Sequence, residues 1–301
     1  SEEMSGGHHW LAGVYPNAWT ESSSMAAGSG GGKDFRMPGR APGRAHFAGN
    51  GASLLPEEQI EAGSLWHHLE RNGVSFLNFG GGMQLAGAVG GEGLKPTGAR
   101  YLTNVPMPNP LFRNTSREYP QFNLNIPDQY RASRFIAECE RRYGKGGEPF
   151  PRFVFIHLPN DHTGENRPDA GYPYDASFVA DNDYALGRIL AYLSNTPWWR
   201  DMAVFIAESN ASGGVDHIDS HRTVLLVAGP YARRDYVSRV NASFPALLKT
   251  VFRLLGVSPL NLFDAAAADL SDCFTAEPDF TPYEAVEPDV RIFDPAAARD
   301  P

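Results

Sequence analysis

The stretch FVFIHL at Phe153–Leu158 is followed by the loop PNDHTGENRPDAGYP (159–173), and ASFVADNDYALGRILAYLS (176–194) comes soon after. A short apolar run rich in aromatic and β-branched residues predicts a buried strand. The polar stretch with its Gly and Pro predicts a loop, and apolar residues at three- and four-residue spacing predict a helix over about Ala176–Ser194. This order of strand, loop and helix is half of a βαβ unit, and it places the polar cluster Asn160-Asp161-His162-Thr163 at the outgoing end of a strand.

Similar signals flank it on both sides. Downstream come a predicted strand Met202–Ala207, the loop ESNASGGVDHIDSHR (208–222), a strand Thr223–Ala228 and a helix Phe244–Leu255 stopped by Gly256. Upstream, DQYRASRFIAECERRY (128–143) sets Phe135, Ile136 and Cys139 at helical spacing before Gly144. Ahead of it lie a helix over Ser64–Asn72, capped by Ser64 and stopped by Gly73, and a strand Val74–Phe79. Alternating strands and helices predict an α/β fold, a mainly parallel sheet sandwiched by helices, with ligands bound beyond the strand C-termini. One domain is expected over 1–301. Within it, 31 glycines and 24 prolines leave 1–63 and 80–127 loop-rich, 128–283 forms the αβ core, and 284–301 is an extended tail.

Composition excludes several functions. A formal charge of −9 with scattered arginines argues against nonspecific nucleic-acid binding, and no apolar run is long enough to span a membrane. Two cysteines exclude a disulfide framework, a four-thiolate zinc site and a CxxCH haem attachment, and leave one Cys139–Cys273 bond open. No GxGxxG follows any assigned strand, which counts against a dinucleotide-dependent oxidoreductase. The adjacent His67-His68 pair on a helix points about 100° apart and reads as packing. Trp198-Trp199 reads as core or subunit-contact aromatics.

Two polar clusters remain, each in a loop after a buried strand: Asp161-His162, and Asp216-His217-Ile218-Asp219-Ser220-His221. Imidazole nitrogen and carboxylate oxygen suit zinc, manganese or iron, and three such groups can leave a coordination position open for water or phosphate. Asp161, His162, His217 and His221 would supply enough donors. The same residue types also cap helices and close turns, so spacing alone leaves both readings open.

From Phe153 to Tyr283 the motifs LPNDHT, RP, VADNDYALGRIL, DHIDSHRT, GPY, FDAAAADL and PDFTPY, together with the opening SEEMSGGHHWLAGVYPNAWTE, resemble bacterial phosphoesterases of the alkaline phosphatase superfamily, in the branch often fused to a β-propeller. The resemblance implies hydrolysis of a phosphate ester by a Ser or Thr nucleophile beside divalent metal (zinc, manganese or calcium). Asp161, His162, His217 and His221 would furnish one metal half-site, with Asp216, Asp219 and Glu208 orienting it. It also implies an exported protein, periplasmic or extracellular.

The sequence departs from that pattern where the chemistry would sit. Met4 occupies the expected nucleophile position, with Ser5 next to it. Ser209 and Asn210 stand where the family has paired acidic ligands, which weakens a second half-site and limits expectation to one ion. The family also has a metal-binding segment on a strand before its nucleophile, and the 301 residues do not contain it. A retained scaffold with altered chemistry predicts a degenerate domain that acts as a binding or assembly subunit with a protein partner. The alternative is an active hydrolase with an atypical nucleophile such as Ser5.

Overall fold

The computed structural model describes residues 11–13, 63–81, 109–209 and 222–299. Helix α1 (Leu65–Arg71) is flanked by Ser64 and Asn72, and Gly73 then takes a left-handed φ of +63°, which turns the chain into strand β1 (Phe76–Phe79). A short helix α2 (Asn109–Arg113) precedes α3 (Asp128–Tyr143), strand β2 (Phe153–Ile156) and α4 (Asp175–Ser194). Strands β3 (Val204–Ala207) and β4 (Leu225–Ala228), α5 (Phe244–Leu255) and α6 (Leu262–Ala266) complete the named elements. The fold is mixed α/β. Every predicted helix and strand in the described residues is present, with the strands shortened by two residues at one end.

β1 and β2 pair in parallel, Phe76 opposite Phe153 through Phe79 opposite Ile156. A segment after α2 adds a parallel bridge on the other side of β1, Asn78 to Thr115, closed by Asn78 N donating to Asn114 O at 2.7 Å and Ser116 N to Asn78 O at 2.8 Å. The buried Asn78 side chain is satisfied within this strip, since Nδ2 donates to Gly81 O at 2.6 Å and to Thr115 Oγ1 at 2.9 Å.

Strand alternation divides the core. Leu77, Phe79, Val154 and Ile156 face α3 and α4, where Phe135, Cys139, Ala185, Ile189, Leu193 and Trp199 pack. Phe76, Phe153 and Phe155 face the other way, towards Trp66 and Leu69 of α1 and Leu248 and Phe252 of α5. Helices therefore cover both faces of the parallel pair. Trp198 stacks on Phe150 at 4.4 Å and joins the first cluster, so the tandem tryptophans are core aromatics. His68 is buried in packing, its Nε2 2.8 Å from Ser258 O and its ring 4.9 Å from Phe252.

The expectation of a mainly parallel sheet needs correction at β3 and β4, which pair antiparallel, Val204 opposite Ala228. A parallel neighbour needs a crossover, usually a helix, and no helical pattern lies in the sequence between Glu208 and Arg222. The two strands form a separate two-stranded sheet.

Both cysteines are free thiols. Cys139 is fully buried in the first cluster, and burial pushes its thiol up to about 12. A thiol reagent should therefore titrate Cys273 alone in the native chain and both residues in denaturant. Phe135 is also fully buried, against Phe79 at 4.9 Å. Phe135→Ala should cost about 3–5 kcal/mol in urea unfolding. Leu254→Ala, at a site 56% exposed, should stay within about 0.5 kcal/mol.

Candidate functional site

β2 ends at Ile156, and the chain turns through two 3₁₀ turns, Asn160–His162 and Pro168–Ala170, before α4. Buried Asn160 fixes the first turn. Its backbone N donates to Asp128 Oδ2 at 2.9 Å, and its Nδ2 donates to Asp181 Oδ2 at 2.7 Å and to Ile126 O at 3.2 Å. Asn182 Nδ2 spans the same junction, donating to Asp128 Oδ2 at 3.0 Å and to Leu158 O at 2.9 Å.

The acceptors belong to a buried polar network. Pro127 precedes α3 and offers no side-chain cap, so Asp181 from α4 caps that helix instead, accepting from Asp128 N at 2.7 Å and Gln129 N at 3.0 Å. It also accepts from Tyr172 Oη at 2.8 Å. Fully buried Arg131 pairs with Asp128 at 2.9 Å and donates to the carbonyls of Gln121, Asn123 and Ile126 at 2.7, 3.0 and 2.7 Å. Burial holds both Asp128 and Asp181 above the ordinary carboxylate range.

The turn presents Asp161 and His162. Asp161 is an exposed residue, yet partial desolvation of its carboxyl lifts the acid from 3.8 to about 6. The negative charge of Glu208 pushes the same way, and His162 opposes it. Glu208 directly follows β3, with its N donating to Val224 O at 3.4 Å and its O accepting from Thr223 Oγ1 at 3.1 Å. Two acidic residues from the ends of β2 and β3 thus share one neighbourhood.

His162 lies edge-on to Phe122 at 5.7 Å, and His157 stacks on the same ring at 6.1 Å. Burial and the charge of Arg131 lower His157 to about 4, so it is neutral at physiological pH. Thr163 closes the turn with φ 59° and ψ 155°, a conformation nearly confined to glycine. A β-branched residue there stores strain of order 1–3 kcal/mol, and such strain concentrates at functional turns.

Of the residues singled out from sequence, Asp161 and His162 are adjacent on the turn, the charge of Glu208 reaches the Asp161 carboxyl, and Ser209 follows Glu208 in the chain. Met4, Ser5, Asn210, Asp216, His217, Asp219 and His221 lie outside the described residues. Among the described residues, no group of three or more His, Cys, Asp or Glu stands close enough to hold a metal. Sequence reasoning missed Asp128, Asn160, Asp181 and Asn182 as the frame of the turn. The available signal was Asp181 itself, a charged residue in register with Phe178, Ala185 and Ile189 on the buried stripe of α4.

No protein-family model matches the chain, and no curated protein sequence matches it.

Because its pKa is raised on folding, Asp161 adds stability that is full below pH 3.8 and is lost as pH rises through about 6. His157 has the opposite sign: its contribution is present above 6.5 and is lost as pH falls through about 4. Asp161→Asn should therefore raise the melting temperature at pH 7–8 relative to the parent, and the gain should fade as pH falls through 6. Thr163→Gly should stabilise the chain by about 1 kcal/mol in the same experiment, through release of backbone strain.

Proposed function

We propose that the chain is a divergent phosphoesterase-like domain of the alkaline phosphatase superfamily that keeps one metal half-site and works as a binding or assembly subunit. The observation that carries this reading is the placement of Asp161 and His162 together on the turn that follows β2, with Glu208 directly after β3. Desolvation first, and the negative charge of Glu208 second, raise the Asp161 carboxyl, and a bound cation would offset both.

The donor types fit a divalent ion. Asp161 and His162 would hold it with His217 and His221, and Glu208 would tune the charge around them. A bound zinc, manganese or calcium would polarise a phosphoryl oxygen. The chain's own contribution is positional: Asn160 fixes the turn, Thr163 closes it, and Phe122 walls one side of His162. At Met4 a thioether replaces the hydroxyl that an in-line attack on phosphorus requires, and at Ser209 and Asn210 neutral side chains replace two carboxylates. These residues support a site that binds without turning over. An alkaline-phosphatase-like sandwich, export to the periplasm or cell exterior and a protein partner belong to the same proposal. Among the described residues no helix is long and apolar enough to cross a membrane.

Elemental mass spectrometry of the purified chain before and after chelation tests the reading. One retained ion is expected, with affinity falling by at least about tenfold in Asp161→Ala and His162→Ala. Phosphate-ester hydrolysis should stay at background and be insensitive to Ser5→Ala. Two tightly held ions, or a metal-dependent hydrolysis lost on Ser5→Ala, would establish an active hydrolase instead. No ion retained after incubation with zinc, manganese or calcium would remove the half-site.

A further inference from the structure

Residues 289–299 contain no helix or strand, yet they are pinned to the body of the protein. Phe293 is fully buried, 5.1 Å from Tyr172 and in one cluster with Phe178 and Ala298. Polar ties surround this plug. Gln129 Nε2 donates to Pro295 O at 2.7 Å and Ala298 O at 3.0 Å, Ser177 Oγ donates to Ile292 O, and Asp294 N donates to Gly171 O at 3.3 Å. Gly171 has φ +86°, and a Cβ there would meet Asp294 O at 2.6 Å, so the backbones touch where a side chain would part them.

The strap meets the residues that hold the Asn160–His162 turn. Tyr172, whose ring Phe293 covers, donates its hydroxyl to Asp181, and Asp181 accepts from Asn160 through the same oxygen. Gln129, which grips the strap, donates its own backbone N to the other oxygen of Asp181. Two independent routes therefore join the strap to one carboxylate, and that carboxylate holds Asn160, the residue before Asp161.

We propose that the 289–299 strap is a positioning element for the candidate site, with Phe293 acting through Tyr172 and Asp181 to hold Asp161 and His162 in place. The proposal rests on the reading of this turn as the functional one. Undocking of the strap, by a partner or by cleavage, would loosen the site without direct contact with it.

Hydrogen exchange on the full chain decides the matter. In Phe293→Ala the amides of residues 160–163 should exchange at least about tenfold faster while those of α5 keep the parent rate. Phe293→Leu should restore most of the protection. Tyr172→Phe keeps the ring and removes the hydroxyl, so it should loosen residues 160–163 while the strap itself stays protected. Equal acceleration at 160–163 and in α5 would mean global destabilisation and overturn the proposal, as would unchanged exchange at 160–163 in a chain whose strap has been released. Unchanged exchange at 160–163 in Tyr172→Phe would overturn the route through the phenol. Titration with manganese alone, followed by electron paramagnetic resonance, should show weaker uptake in Phe293→Ala than in the parent. A parent chain that takes up no manganese sinks the metal reading, and the exchange result then decides the strap independently.

Discussion

The carboxylate of Asp181 is the constraint from which the site is built. Placed on the buried stripe of α4, it cannot be left unsatisfied, since an unpaired buried charge costs several kcal/mol. Four donors meet it: two backbone amides at the start of α3, the Asn160 side chain and the Tyr172 hydroxyl. They come from three local structures, so one side chain fixes the relation among a helix start, the turn after a strand and the loop before α4. Asp128 and Arg131 repeat the device one step away, and Arg131 gathers the carbonyls of the 121–126 loop. Such a network makes little net contribution to stability compared with apolar packing, but it admits one arrangement of its parts.

The order of elements was legible in the sequence because it depends on local pattern. The helix DQYRASRFIAECERRY has the observed bounds, and the helix ending at Gly256 also stops where its glycine takes a left-handed φ of +70°. Strand pairing was less legible, because the direction of β4 beside β3 depends on the path of the connection and not on the strands themselves. The polar cluster at Asp161-His162 was visible as a loop after a strand. Its frame was not, because Asp128, Asn160 and Asp181 are 21 and 32 positions or more apart in sequence, and their meeting is a tertiary fact. The charged residue in an apolar stripe was the trace it left.

The geometry also separates what the scaffold needs from what chemistry would need. Asn160 and Asp181 are wholly buried and serve the fold, whereas Asp161 is exposed and Thr163 is half-buried in a strained conformation. Strain and like-charge repulsion persist at the same turn because the network beneath is rigid enough to impose them.

The strap has a consequence for biosynthesis. Phe178 and Phe293 are 115 positions apart, so at 5–20 residues per second a ribosome takes roughly 6–23 s to make the plug after it has made both rings that the plug covers. Over that interval the ring pocket of Tyr172 and Phe178 has no occupant from its own chain. A nascent chain therefore carries an exposed aromatic surface at the place where its site will form, and that surface is open to a chaperone or a partner before the strap arrives.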